Sequence, residues 1–119
     1  MWLMVSKTAT LNGTLRATGG SATYGAGGAG GGIYVQCNTL AGSNAVLLAN
    51  GGTGGNSGNF GAGGGGGRIA VWRLRDNSNT NTWLIQVLGT NGYAGTTTGT
   101  VGSVWFGQLP APGSILILR

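Results

Sequence analysis

The chain has 119 residues, a single-domain length, of which 28 are glycine and only 6% are charged. Its apolar fraction of 40% argues against a wholly disordered chain, and two prolines without a strict glycine period exclude a collagen triple helix. The net charge of +5 comes from dispersed cations, so the chain lacks the concentrated basic stripe typical of nucleic-acid binding.

Four short segments with period-two alternation of apolar residues are the candidate strands. They read LMVSK, IYVQC, IAVWR and VWFGQ, and they begin at Leu3, Ile33, Ile69 and Val104. Each is followed by a second apolar run, and these runs begin at Thr14, Val46, Leu84 and Ser114. Their β-branched residues favour strands, and frequent glycines would destabilise any helix.

The strands recur at intervals of 30 to 36 residues, which is typical of stacked repeats. The approximate repeats are 2–32, 33–67, 68–102 and 103–119. One repeat cannot bury its apolar face alone, whereas equivalent strands stacked in parallel can. We therefore predict an all-β fold for the single domain 1–119: a short, right-handed, parallel β-helix-like solenoid of about four irregular repeats.

Period two predicts which side chains point into this solenoid. The first inward column is expected to hold Leu3, Ile33, Ile69 and Val104, and the second Val5, Val35, Val71 and Phe106. Continued alternation would also point inward Lys7, Cys37, Arg73 and Gln108. Buried cations without partners are costly, so we expect the coil to turn a corner before these positions.

Glycine-rich segments lead back to the next strand in the first three repeats, as in GAGGAGGG from Gly25 and GAGGGGG from Gly61. Two structures fit them. They are either mobile surface loops or extended helices with three residues per turn, hydrogen-bonded to each other as in polyglycine II. Neighbouring repeats would supply the partners that such helices need.

The run GGGIYVQCNTLAGSNAVLLANGG, followed by GAGGGGGRIAVW, resembles the glycine-rich β-solenoid repeats of large bacterial cell-surface and secreted proteins. The resemblance covers roughly residues 8–109 and implies extracellular display, adhesion or a matrix role, with no catalytic motif. The glycine-rich segments are also similar in composition to the polyglycine-helix bundles of some receptor ectodomains and phage adhesins.

Residues that carry enzyme chemistry are scarce. With no histidine, one acid (Asp76) and one cysteine (Cys37), the chain cannot build a catalytic triad, a carboxylate pair or a zinc site. The glycine motifs open strands instead of helices, which argues against dinucleotide binding. We expect no enzyme activity and no catalytic, cofactor-binding or metal site.

Aromatic side chains form the one candidate surface for a ligand or partner. If Ile33 and Val104 face inward, Tyr34 and Trp105 face outward in one column, with Trp72 in the next. Such a face suits stacking on sugar rings or packing against a protein. The alternative is that a glycine-rich loop covers it as a second core.

The leading functional hypothesis is a structural or adhesive module of an extracellular or cell-surface protein. Its expected partners are further copies stacked end to end or the rest of a longer chain, because SILILR and MWLMV are uncapped apolar strands. The alternative is a polysaccharide-binding module, and a lesser one is ice binding by the threonines at 96–98 and 100. No apolar run approaches the roughly 20 residues that cross a bilayer, and no signal peptide is evident.

Overall fold

The computed structural model describes residues 1–56 and 60–111. Its seven strands are β1 (Trp2–Thr10), β2 (Thr14–Arg16), β3 (Gly32–Gly42), β4 (Val46–Leu48), β5 (Arg68–Ser78), β6 (Leu84–Gln86) and β7 (Ser103–Gln108). The only helical turns in this part are two short 3₁₀ turns, Thr80–Thr82 and Tyr93–Gly95. The expected all-β class is confirmed, and no helix in the described residues has the length and apolar character to cross a bilayer.

The strands form two sheets in which every neighbouring pair is parallel. The larger sheet has the order β1-β3-β5-β7, and the smaller sheet has the order β2-β4-β6. The chain thus alternates between the sheets, and each of the first three repeats adds one strand to each sheet. The fourth apolar run, which begins at Ser114, lies outside the described residues.

The hydrophobic core lies between the two sheets. Its largest fully buried members are Ile33, Val35, Leu40, Leu47, Ile69 and Val71. The larger sheet supplies five of these and β4 supplies Leu47, so the middle strands of both sheets hold the centre of the core. The residues between these core positions point to the other face of the larger sheet, which is the protein surface.

The predicted columns are confirmed for the last three strands of the larger sheet. Ile33 is in register with Ile69, which is in register with Val104, and the next column is Val35, Val71 and Phe106. The first strand was misplaced by two residues, because Leu3 pairs with Val35 and not with Ile33. A bulge in β1 after Val5 also shifts the register, which a fixed repeat length does not anticipate.

The expected corner before Cys37 and Arg73 is wrong. β3 and β5 run straight through these positions, where Cys37 pairs with Arg73 and Arg73 pairs with Gln108. Cys37 is a core residue, only 1% exposed. Strict alternation would bury position 39 after Cys37, but Leu40 is the next fully buried residue, so the alternation is interrupted between them. The pattern of buried positions therefore changes within the strand, beyond these positions and not before them.

Cations avoid the cost of burial in two different ways. Arg73 Nε donates to the Asp76 carboxylate at 3.0 Å, and its guanidinium lies 5.6 Å from the centre of the Phe106 ring. Lys7 lies in the bulged part of β1 and is exposed. An ion pair on β5 and a bulge in β1 thus keep these two cations from being buried without a partner, and no corner in the coil is needed.

The glycine-rich stretches are bonded backbone to backbone. Three segments, 17–23, 49–55 and 87–92, follow β2, β4 and β6; we call them the outgoing segments. Three others, 25–31, 61–67 and 97–102, precede β3, β5 and β7; we call them the return segments. Gly61, Gly64 and Gly67 of one return segment donate to Gly55, Gly52 and Ala49 of an outgoing segment. The bonds recur every third residue, and the two segments run in opposite directions.

This bonding extends through all six segments. The successive pairs, at 2.8–3.0 Å, are Gly28 to Gly20, Gly52 to Gly28, Gly64 to Gly52, Thr90 to Gly64 and Gly99 to Thr90. The principal extents of the molecule are 59 × 38 × 21 Å. The smallest extent fits two packed layers, which lie about 10 Å apart in stacked sheets.

Candidate functional site

An uncovered row of side chains crosses the outer face of the larger sheet. Trp2, Tyr34, Ala70 and Trp105 are in register on its four strands, as the alternation predicted for the last three. Trp2 and Tyr34 meet edge to face with ring centres 5.4 Å apart. Trp105 stands beyond the small Ala70. We call these four residues the outer row.

The second outward row is less exposed overall than the outer row. It holds Met4, Gln36, Trp72 and Gly107 in register. The indole of Trp72 lies over Gly107, where a Cβ atom would overlap the ring. Tyr34 Oη donates to Gln36 Oε1 at 2.9 Å, which links the two rows. Trp72 is therefore partly buried on its own sheet and less available to a ligand than Trp105.

The expectation that a loop covers this face is not met by the described residues. Trp2 is 73% exposed and Trp105 is 61% exposed. Large aromatic side chains left in water as a group usually mark a functional surface. The register agrees with the outward phase predicted for Tyr34, Trp72 and Trp105, although Tyr34 and Trp72 are only partly exposed, and the sequence analysis missed Trp2, which completes the row.

A groove of about 630 Å³ lies at one end of the outer row. Its lining includes Trp2, Tyr34, Ala70, Gly32 and the cation Arg68. Gly32 leaves the groove open, because a Cβ atom there would meet nothing within 4 Å. Arg68 is exposed and belongs to the same outward phase of β5 as Ala70. Its role was not anticipated from the sequence.

The electrostatics of this face follow from the scarcity of acids. Asp76 is the only acidic side chain of the chain, and it is bound to Arg73 and Ser78. Burial acts to raise the pKa of Asp76, but the hydrogen bonds from Ser78 and Arg73 outweigh it and lower the pKa below 3.8. Asp76 is thus ionised and committed elsewhere, so no acidic side chain offsets the charge of Arg68.

The threonine cluster lies away from this face, at one end of the last return segment. Thr96 Oγ1 donates to the carbonyl of Tyr93 at 3.0 Å, and the carbonyls of Thr97 and Thr100 accept bonds from Gly63 and Gly66. The cluster occupies one repeat only. It therefore forms no array of threonines across the described repeats.

No protein-family model, no curated protein and no solved structure matches this chain.

Proposed function

We propose that this chain is a structural and adhesive repeat module of an extracellular or cell-surface protein, without catalytic activity of its own. The observation that carries the proposal is the bonded network of glycine segments. In this network, backbone amides of one segment donate hydrogen bonds to carbonyls of the next. Many of its glycines contact the backbone of a neighbouring segment so closely that a side chain would not fit. Such a network suits a rigid support for a display surface.

In our interpretation the fold is a flattened, parallel β-helix-like solenoid that continues into a polyglycine II-like lattice. The parallel pairing of equivalent strands supports the first part. The three-residue period of the glycine hydrogen bonds supports the second, because polyglycine and polyproline II helices have three residues per turn and need lateral partners. Ordered segments are thereby favoured over mobile loops.

Amide hydrogen exchange tests the rigid support. The amides of Gly28, Gly52 and Gly64 donate to carbonyls of neighbouring segments, so they should exchange as slowly as those of Val35 and Val71 in the core strands. The amide of Gly13, in the β1–β2 connection, serves as the comparison and should exchange fast. Fast exchange at all three network glycines would contradict the proposal.

Polysaccharide binding is the adhesive activity that the outer row favours. Flat, exposed aromatic rings stack on the apolar faces of sugars. Trp105→Ala should abolish binding to a glycan array with little loss of thermal stability, because this side chain is 61% exposed. Trp72→Ala should lower stability, because its ring packs over Gly107. Loss of stability without loss of binding in Trp105→Ala would instead assign the row to folding.

A further inference from the structure

We infer that the groove between Trp2, Tyr34 and Arg68 binds the uronate units of an acidic polysaccharide. The inference deepens the proposed adhesive function and rests on it. It names a ligand class, a charged contact and a position for the ligand on the sheet.

The positive charge of Arg68 favours an acidic sugar as the ligand. Arg68 lines the groove, and no ion pair joins it to another side chain in residues 1–56 and 60–111. The only acid of the chain is bound to Arg73 at 3.0 Å. The planar guanidinium of Arg68 matches the two oxygens of a carboxylate, and hydrogen bonds between charged groups are the strong ones.

The aromatic part of the groove indicates that the carboxylate is attached to a sugar ring. Trp2 and Tyr34 present apolar ring surface beside Arg68, and the Tyr34 hydroxyl, already bonded to Gln36, offers an acceptor for sugar hydroxyls. Neighbouring strands lie about 4.8 Å apart, so the outer row extends about 14 Å from Trp2 to Trp105. This length suits an extended oligosaccharide and exceeds a single ring.

A single cationic side chain, without a row of further ones, distinguishes this groove from surfaces for more highly charged chains. Proteins that bind single-stranded nucleic acid combine stacking rings with a positively charged groove that follows the phosphates. Among the groove residues of the described chain, Arg68 is the only cationic side chain, and the N-terminal ammonium of Met1, which donates to the Gly32 carbonyl at 2.6 Å, is the other positive group. A polymer with one carboxylate per sugar therefore fits better than a sulfated polysaccharide or a nucleic acid.

Calorimetric titration with oligogalacturonate and with its methyl ester tests the inference, since esterification removes the charge of each carboxyl group and adds only a methyl group to it. The protein should bind oligogalacturonate about tenfold more tightly than the ester, because a hydrogen bond from the guanidinium to a charged carboxylate is stronger than one to a neutral ester carbonyl. Arg68→Gln should remove this preference and leave ester binding unchanged. Arg75→Gln, an exposed cation of the same strand outside the groove, is the matched control and should change neither affinity.

A second variant tests the position independently of charge. Gly32→Val places a β-branched side chain in the open space of the groove and should abolish binding of both ligands while circular dichroism stays unchanged. Equal affinity of Arg68→Gln and the unmodified protein for oligogalacturonate would overturn the inference. So would tighter binding of heparin or oligothymidylate, or no binding of any ligand. Protected glycine amides in the same protein would show that the rigid support stands although its ligand was misassigned.

Discussion

At the residue scale, two adjacent glycines of one return segment have opposite environments. A Cβ atom on Gly64 would overlap the carbonyl oxygen of Gly28, whereas one on Gly65 would have the Thr100 carbonyl oxygen, 3.6 Å away, as its nearest neighbour. Gly64→Ala should therefore destabilise the protein by about 3 kcal/mol or more, because backbone must move. Urea denaturation measures the loss.

Gly65→Ala is the matched control for this prediction. It should be neutral or stabilising by about 0.4–1 kcal/mol, since alanine restricts the unfolded chain more than glycine does. If both variants lose the same stability, glycine matters here for a reason other than close backbone packing. If Gly64→Ala is neutral, the segments are not packed as described.

The single thiol is a second residue-scale probe, of the core between the sheets. Burial raises the pKa of Cys37, and the residue is 1% exposed. Both effects oppose formation of an accessible thiolate. Iodoacetamide at mildly alkaline pH should thus modify the native protein much more slowly than the protein in concentrated urea, as mass spectrometry can follow. Equal rates would mean that the sheets do not enclose Cys37.

At the element scale, the cost of losing an inward side chain depends on the strand that carries it. Ile69 and Val104 share a column, but Ile69 is 1% exposed on the inner strand β5 and Val104 is 40% exposed on β7. Ile69→Ala should cost about 2–5 kcal/mol of the free energy of unfolding. Val104→Ala should cost less than about 1 kcal/mol. Equal costs in urea denaturation would contradict the described burial.

The end of β5 should give the protein its acid sensitivity. Ser78 and Arg73 hold the pKa of Asp76 below its ordinary value, although burial opposes this. A carboxyl with a lowered pKa in the folded state stabilises the fold above its unfolded pKa, and the contribution is lost as the pH falls through the folded value. Melting temperatures should be level above about pH 5 and fall below about pH 4.

Asp76→Asn is the control for that pH dependence. Since Asp76 is the only acidic side chain, the variant should melt at a lower temperature at neutral pH and lose most of the decline in acid. An unchanged acid decline in Asp76→Asn would assign it to another group.

The elements were more predictable than their register. Alternation and β-branched residues sufficed for the strands that begin near Ile33, Ile69 and Val104, because equivalent strands in adjacent repeats carry the same phase. β1 was misaligned, since a bulge changes the spacing and since Leu3 resembles Ile33 as closely as it resembles Val35. Pairing Trp2 with Tyr34, aromatic with aromatic, was the signal that could have corrected it.

The candidate site was predictable in part for the same reason. Outward phase alone identified Tyr34, Trp72 and Trp105. Arg68 was not identified, because its place in one groove with Trp2 depends on the register of β1 against β3. Period-two patterns say which side a residue faces, and they do not say which strands stand next to each other.

At the scale of the whole molecule, the shape is a thin slab. The radius of gyration is 17.5 Å, whereas a compact domain of this length has about 13.5 Å. In the described part of the chain, β1 and β7 are the outer strands of the larger sheet. Outer strands present unpaired backbone groups that can pair with another chain, and charge or a bulge on them opposes this. β1 carries both, in Lys7 and the irregularity around it.

The end-to-end association that the sequence led us to expect predicts growth in one direction. Small-angle scattering of dilute protein should give a radius of gyration near 17.5 Å, with a rise at high concentration while the slab thickness stays near 21 Å. Copies joined through the aromatic face would instead thicken the particle, because that face lies on the broad side of the slab. Thr8→Lys adds a second exposed cation beside Lys7 on the outer strand and should weaken the association without unfolding the protein. A radius that stays constant with concentration, or a thickness that grows with it, would refute assembly along the stacking direction.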